Sequence, residues 1–291
     1  MTDLRVLFVS PVFRIDPYLR RLSGLIVRMA KLIDETMVIT TTIRAREIPD
    51  GIEVIQVPSL NITKRVFWPI PDTTKLLKAV AEEEGRFDIK HFFKIHYPTT
   101  WGVLACCQGR VLTVENFPGI DYDHGELIIN ITSAPYVFIS SKLLLPRFEG
   151  VIFFSTISLN TAKELGLRRG LREVIPLGVD TEKIRPDEEL GTEVKEELGI
   201  EGPTALYVGR LSPVKGIRYL CRAIEILDKA GLRLDVLVVG DGPERRRLKE
   251  LRGRVRNVRV HLLGFKSDPI GFYNASDFVV MSSLSEGCPN V

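Results

Sequence analysis

The chain has 291 residues, of which 45% are hydrophobic and 26% charged, and its formal net charge is +3. This length allows two domains that each bury a core, and the composition is ordinary for a globular protein. A net charge this small gives no reason to expect a nucleic-acid partner. The four cysteines lack metal-ligand spacing, and His91 and His96 lie five residues apart, which does not place both on one helix face. We therefore expect no metal site, reduced thiols and a cytoplasmic protein.

Three segments bear on membrane contact. The N-terminal apolar run is interrupted by Arg5 and does not have the pattern of a signal peptide. The longest uncharged run, 127–141, is short for a membrane-spanning helix and contains Asn130 and Pro135. Residues 18–33 predict a helix with one apolar and one basic face. That helix packs on a sheet in the simpler interpretation, and it contacts the anionic cytosolic face of a membrane in the alternative.

Strands and helices alternate along the first half of the chain, which predicts a parallel, doubly wound sheet. The predicted strands cover 4–10, 37–41, 52–57, 87–93, 110–114 and 151–155, and the predicted helices cover 18–33, 73–84 and 158–167. Ser158 is the expected cap of the last helix. The loop after the strand at 110–114 carries carboxylates and an amide, beginning with Glu115 and Asn116. Because ligands bind at the carboxyl ends of parallel strands, these two residues are candidates for a site, with a turn or capping role as the alternative.

The second half alternates in the same way after a polar stretch at 180–203, which we expect to be a linker with one short helix. The predicted strands cover 205–208, 234–239, 258–263 and 278–281, and the predicted helices begin near 213, 243 and 269. Ser212 is expected to cap the helix that starts at Pro213. A basic run at 245–256 predicts a solvated helix and loop, with a nucleic-acid or phospholipid surface as the alternative.

The stretch 204–216, TALYVGRLSPVKG, is the most informative part of the sequence. It predicts a buried strand that runs directly into a glycine, followed by Arg210 and Lys215 beside the start of a helix. Anions are favoured at the carboxyl end of a parallel strand and at a helix N-terminus. Two fixed cations there suit a diphosphate, and two solvated charges on a loop are the alternative.

Four motifs resemble those of the retaining glycosyltransferases of the GT4 type, in that family's order and at about its spacing. They are IPLGVD (175–180), TALYVGRLSPVKG (204–216), VVGDGPERRRL (238–248) and SSLSEGCPN (282–290). The resemblance implies an α/β chain with the GT-B fold, in which two Rossmann-like, doubly wound domains face a cleft. It divides the chain into an acceptor-side domain (1–179), a linker (180–203) and a nucleotide-sugar donor domain (204–291).

The same resemblance implies roles for individual residues. Arg210 and Lys215 would neutralise the charge of the leaving diphosphate without a bound metal, and Glu286 would lie near the sugar ring. The implied donor-binding residues are Gly209, Arg210, Lys215, Gly240, Gly242, Gly264, Phe265, Glu286, Gly287, Cys288, Pro289 and Asn290. Glu115 and Asn116 occupy the acceptor-side position where many members have a histidine.

The implied function is the transfer of a hexose from a nucleotide sugar to a carbohydrate or lipid-linked acceptor, with retention, no metal and no further cofactor. The second glutamate of the family motif would fall beyond Val291. We therefore expect a C-terminally truncated chain with an incomplete donor domain. Two alternatives stay open: an inactive or split fragment that needs a separate C-terminal piece, and another GT-B enzyme of nucleotide sugars such as a 2-epimerase.

Overall fold

The computed structural model describes residues 3–14, 22–44, 48–60, 70–95, 97–114, 127–167, 170–284, 286 and 288–289. The chain divides into two compact units, one of residues 1–121 and 132–177 and the other of residues 122–131 and 178–291. Each unit is built on its own parallel sheet, as an α/β sequence of this kind predicts.

The first unit contains a seven-stranded sheet in which every neighbouring pair of strands is parallel. Its strands are β1 (Arg5–Arg14), β2 (Glu35–Arg44), β3 (Ile52–Gln56), β6 (Ile89–Phe93), β7 (Arg110–Val114), β8 (Gly150–Phe153) and β9 (Leu171–Val174). Their order across the sheet is β3-β2-β1-β6-β7-β8-β9, while β4 (Ser59–Leu60) and β5 (Ile70–Pro71) form a separate antiparallel pair. The six predicted strands are confirmed, five of them with shifted ends, and β9 is an additional strand of this sheet.

Four α-helices lie among the described residues up to position 177. They are α1 (Leu22–Ala30), α2 (Thr73–Glu83), α3 (Leu127–Leu144) and α4 (Thr156–Glu164). Residues 18–21 of the first predicted helix lie outside the described residues. In α1, Ile26 and Val27 are buried, and Leu25 and Met29 pack against the same cluster as Phe8 of the sheet. None of the helices among the described residues is long and apolar enough to cross a membrane.

The predicted cap of α4 is wrong by one turn. Ser155, not Ser158, is the N-cap, because its hydroxyl oxygen accepts the backbone N–H of Ser158 at 3.2 Å. Ser158 is buried inside the first turn. The chain enters this helix directly from β8, so the serine nearest the strand meets the free N–H groups.

The second unit contains a four-stranded parallel sheet. Its strands are β10 (Thr204–Val208), β11 (Leu234–Val239), β12 (Val258–Gly264) and β13 (Phe278–Val279), and its helices are α5 (Glu188–Leu198), α6 (Ile217–Lys229), α7 (Arg245–Arg252) and α8 (Ile270–Asn274). The strand order is β12-β11-β10-β13. The sheet is covered on both faces, with α6 and α7 on one side and α5 and α8 on the other. The predicted linker therefore contains a helix, α5, that packs within this unit.

The start of α6 differs from the prediction. Residues Pro213–Lys215 form a single 3-10 turn, and Gly216, at φ +65°, separates that turn from Ile217. Ser212 makes no capping bond with its side chain. Its hydroxyl is buried and has no hydrogen-bond partner within the described part of the chain. The helix α6 starts at Ile217 because Gly216, in the left-handed conformation, interrupts the helical backbone. The serine–proline pair at 212–213 does not predict this interruption.

Candidate functional site

The loops that follow the four strands of the second sheet lie at one edge. Because β10, β11, β12 and β13 are all parallel, their carboxyl ends point the same way. Ligands of doubly wound proteins bind at this edge. Every predicted donor-binding residue that the structure describes lies at this edge of the second sheet.

The loops after β10 and β11 are joined by backbone hydrogen bonds. Gly209 donates its N–H to the carbonyl of Val239 at 3.0 Å, and Leu211 donates to that of Asp241 at 2.9 Å. In return, Glu244 donates its N–H to the carbonyl of Leu211 at 2.9 Å. The two loops therefore form one surface, and the position of each depends on the other.

Glycines make this close approach of the two loops possible. A Cβ atom at Gly240 would overlap the carbonyl oxygen of Gly209, and one at Gly242 would overlap that of Leu211. These glycines thus have a packing role, and their predicted contact with a donor stays a prediction. The carbonyl of Gly264, at the end of β12, accepts the N–H of Gly240 at 2.7 Å and extends the same surface.

The segment after β13 is held against the turn that contains Lys215. Leu284 donates its N–H to the carbonyl of Val214 at 2.9 Å, and the Ser282 hydroxyl donates to that of Lys215 at 3.0 Å. A Cβ atom at Gly216 would overlap the Ser282 carbonyl, so this contact also requires glycine. These bonds bring the C-terminal residues of the unit to the cations after β10.

Lys215 and Glu286 form an ion pair at this point. The Lys215 Nζ donates to Glu286 Oε1, although the two residues lie 71 positions apart. Their side chains are 28% and 22% exposed, so solvent screens the pair only in part. The structure therefore brings together a predicted phosphate ligand and the predicted sugar-side carboxylate. The side chain of Arg210, the other predicted cation, is exposed at the same loop.

Tyr207 of β10 interacts with Arg210 and Glu286 and is a site residue that the sequence analysis misses. Its hydroxyl donates to the carbonyl of Arg210 at 3.2 Å. Burial raises the pKa of Tyr207 well above its usual value, the Glu286 carboxylate raises that pKa further, and Arg210 opposes both effects. The sequence gives one sign of this role, which is a tyrosine among the apolar residues of a predicted buried strand. A buried tyrosine needs a hydrogen-bond partner for its hydroxyl, so its position indicates a polar contact nearby.

The remaining predicted residues have different outcomes. Phe265 follows β12 and is 71% exposed, which leaves its ring accessible to a planar group. Cys288, a free thiol, and Pro289 are partly buried. Four predicted residues lie outside the described part of the chain: Gly287, Asn290, Glu115 and Asn116. Their roles stay predictions.

The basic run at 245–256 is largely paired with acids. Arg246 bonds to Glu250 at 2.8 Å and Arg247 bonds to Glu244 at 2.8 Å, both within or beside α7. Arg254 lies 3.5 Å from a carboxylate of α6. This pairing favours the solvated helix over a nucleic-acid or phospholipid surface.

A sequence model of the family described as Glycosyl transferases group 1 matches residues 202–291. The UDP-Gal:alpha-D-GlcNAc-diphosphoundecaprenol alpha-1,3-galactosyltransferase of Escherichia coli is 35% identical over 122 residues, which cover 40% of this chain. The match covers 32% of that protein, so the chain corresponds to less than a third of this relative's own length.

Solved structures are similar over nearly the whole chain. The crystal structure of Anabaena Alr3699/HepE in complex with UDP-glucose has a TM-score of 0.67 at 17% identity, over 98% of this chain and 75% of that one. Sucrose-phosphate synthase from Thermosynechococcus elongatus has a TM-score of 0.69 at 17% identity, over 99% of this chain and 77% of that one. At these identities the similarity is one of fold. The chain therefore has the fold of the GT-B glycosyltransferases, and its residues 202–291 match the sequence model of the group 1 glycosyltransferases.

Proposed function

We propose that this chain transfers a hexose from a nucleotide-sugar donor, which binds at the carboxyl edge of the second sheet. The observation that carries the proposal is the Lys215–Glu286 pair at that edge. Sugar transfer makes two electrostatic demands, because the leaving diphosphate gains negative charge and the anomeric carbon gains positive character. A cation beside a carboxylate meets both demands. The family match over residues 202–291 supports the same class of reaction.

In the proposed reaction, the bond between the anomeric carbon and the diphosphate breaks, and an acceptor hydroxyl forms the new bond to that carbon. The hydroxyl proton leaves on the departing phosphate. Arg210 and Lys215 neutralise the charge of the diphosphate, so the reaction needs no bound metal ion. Glu286 holds a sugar hydroxyl or faces the positive anomeric carbon. We propose that the anomeric configuration is retained, as in the GT4-type enzymes that the motifs resemble.

We propose uridine diphosphate as the nucleotide of the donor. The name of the Escherichia coli relative gives a UDP-Gal donor, and the Anabaena structure holds UDP-glucose. The exposed ring of Phe265 and the backbone of Gly264 are the groups that we expect to meet the base. A planar base can stack on such a ring whatever its identity, so the base must be tested directly.

The acceptor is proposed more broadly, as a carbohydrate or a lipid-linked sugar. The relative in Escherichia coli is named for an acceptor attached to diphosphoundecaprenol. Enzymes that use such acceptors meet their substrate at a membrane, and we propose that this chain works in the cytoplasm or at the cytosolic membrane surface. Glu115 and Asn116 remain the proposed acceptor-side residues.

A thermal-shift panel with UDP, GDP, ADP and UDP-glucose tests the donor site. Binding to the folded state alone raises the melting temperature, and we expect UDP and UDP-glucose to do so. Arg210→Ala or Lys215→Ala should weaken UDP binding by about 1–3 kcal/mol, because each removes a charge-assisted contact to phosphate. Lys229→Ala is the matched control, since it removes an exposed cation at the far end of α6.

Equal UDP affinity in the wild type, Arg210→Ala and Lys215→Ala would exclude the proposed donor site. The reaction itself is tested by incubating the chain with UDP-glucose and candidate acceptors, with and without EDTA. We expect an EDTA-resistant product with the anomeric configuration of the donor. An inverted product, or activity that EDTA abolishes, would contradict the corresponding part of the proposal.

A further inference from the structure

One side of α3 presents large apolar side chains to solvent. Phe138, Ile139 and Leu143 are 43%, 50% and 46% exposed. Their spacing places them on one face of the helix. Ser140 and Leu144, on the other side, are fully buried. Between Phe138 and Leu144 the helix therefore packs on the first unit through one face and leaves the opposite, apolar face uncovered in the described structure.

The same face carries positive charge and no negative charge. Lys142 is exposed, and its Nζ lies 5.7 Å from the ring centroid of Phe138. Arg147, one turn further on, is exposed and donates to the carbonyl of Leu143. The sequence from Leu127 to Arg147 contains no aspartate or glutamate. Among the described residues, neither cation lies within 4.0 Å of a carboxylate.

Exposed apolar residues interleaved with cations are typical of helices that lie in the plane of a membrane surface. The apolar side chains enter the headgroup region, while the long basic side chains keep their charges at the level of the phosphates. The face between Phe138 and Arg147 offers no carboxylate or amide for directional recognition by a protein partner. A lipid surface satisfies both its apolar and its cationic groups.

The first helix of the chain does not offer the same features in its described part. Ile26 and Val27 of α1 are buried, and Leu25 and Met29 pack against the same core cluster. The apolar face of α1 is therefore used in packing on the sheet. An exposed apolar face that also carries cations is found on α3.

We propose that the exposed face of α3 formed by Phe138, Ile139, Lys142 and Leu143, together with Arg147 in the 3-10 turn that follows the helix, docks on the surface of an anionic phospholipid bilayer. In the proposed contact the helix lies along the surface, with its apolar side chains in the headgroup region. This docking depends on the first unit alone. It is independent of whether the chain transfers a sugar.

The test is flotation of the whole chain with vesicles of known composition. Vesicles of equal parts phosphatidylglycerol and phosphatidylcholine should carry the chain to the top of the gradient, and vesicles of phosphatidylcholine alone should carry much less. Added salt should weaken the binding, because the cationic contribution is screened. Absence of binding to the anionic vesicles would overturn the proposal.

Variants of the face locate the contact. Phe138→Ser with Leu143→Ser should lower the partition coefficient more than tenfold, since two half-exposed apolar side chains are lost from the lipid contact. Lys142→Gln should lower it about fivefold. The matched control is Ile157→Ser with Lys163→Gln on α4, where Ile157 is 69% exposed, and its binding should equal that of the wild type.

Equal binding by the α3 variants and the wild type would overturn the proposal. So would a loss of binding confined to Arg246→Gln on α7, because the basic run would then be the lipid contact. A second measurement does not depend on the folding of the serine variants. In Ile139→Trp, brominated anionic lipids should quench the added indole fluorescence above the baseline of the native Trp68 and Trp101. No added quenching would also contradict docking through this face.

Discussion

Lys215 donates to Glu286, so the cation expected to hold a diphosphate already has a partner. The pair offsets the positive charge of Lys215 with one negative charge. Under the proposed function, a diphosphate at Lys215 would replace or share this contact, and the free energy of the pair would lower the affinity for the donor. A partly screened pair contributes about 0.2–1 kcal/mol.

Glu286→Gln separates the two roles of the carboxylate. Without its charge, Lys215 is released, and we expect UDP to bind as tightly as in the wild type or up to about fivefold more tightly. Sugar transfer should fall about a hundredfold, because the group that faces the developing positive charge is lost. Calorimetry with UDP and initial rates with UDP-glucose measure the two effects.

Glu250→Gln is the control for this prediction. It removes a carboxylate that is 57% exposed and pairs with Arg246 within α7. Its UDP affinity and rate should equal those of the wild type. If Glu286→Gln weakened UDP binding as much as Lys215→Ala does, Glu286 would contribute to nucleotide binding rather than compete with the diphosphate for Lys215.

At the residue scale, the sequence predicts the charged residues of the site better than it predicts the residues that hold the surrounding loops in position. Arg210, Lys215 and Glu286 are selected from motifs, and the structure brings the last two into contact. Tyr207 and Ser282 are missed, because their partners are backbone carbonyls whose positions depend on how the loops fold. A side chain that bonds to a loop carbonyl leaves no periodic signal in the sequence.

At the scale of elements, the joined loops after β10 and β11 behave as one part. Gly240→Ala would push a Cβ atom into the carbonyl of Gly209, where no flexible side chain can move aside. We expect the second unit to lose about 1–3 kcal/mol of unfolding free energy, and UDP affinity to fall with it. Urea denaturation and calorimetry measure the two losses.

Gly202→Ala is the matched control, because a Cβ atom there has no neighbour within 4 Å. Its unfolding free energy should change by about 0.5 kcal/mol or less, as for other surface substitutions. Equal stabilities of the two variants would mean that the loops can separate without cost. The glycine at 240 would then need another explanation.

The elements themselves could be predicted where a strand is buried and bounded by turn residues. The predicted bounds of the strands at 110–114 and 234–239 agree with β7 and β11. The helix α3 is missed, because its apolar residues give no 3.6-residue period. The predictions that Ser158 and Ser212 cap helices are wrong. A serine side chain caps a helix only when a free backbone N–H lies within reach, and the sequence does not give that distance.

At the scale of the whole molecule, each unit buries its own core, and the first core contains a histidine. His91 is buried, its ring stacks on Phe93 at a centroid distance of 4.7 Å, and its Nε2 lies 2.6 Å from the Thr113 hydroxyl oxygen. Burial lowers the pKa of His91 from 6.5 to about 4. The folded first unit therefore keeps this ring neutral at mildly acidic pH.

The stability of the first unit should fall as the pH is lowered from 6.5 to 4. Above pH 6.5 the ring is neutral in both states and contributes no pH dependence. Below pH 6.5 the unfolded chain binds a proton at His91 that the folded unit does not bind. This difference lowers the unfolding free energy by about 3 kcal/mol at pH 4. Urea denaturation at a series of pH values, followed by near-UV circular dichroism, measures this loss.

His91→Gln provides the comparison, because glutamine does not titrate. The variant should be less stable than the wild type at pH 7, and the difference should shrink as the pH falls. Parallel pH profiles for the two proteins would show that His91 does not carry the acid sensitivity. In that case the carboxylates of the unit would be responsible.

The short strand β13 has one neighbour in the described sheet, and both of its residues are about half exposed. The segment that carries Glu286 leads away from this strand, so the carboxylate is attached to an element with few buried contacts. Such elements open locally while the rest of a domain stays folded. Under the proposed function, a donor bound at Glu286 would hold β13 closed, and part of the binding free energy would offset the conformational entropy that the strand loses.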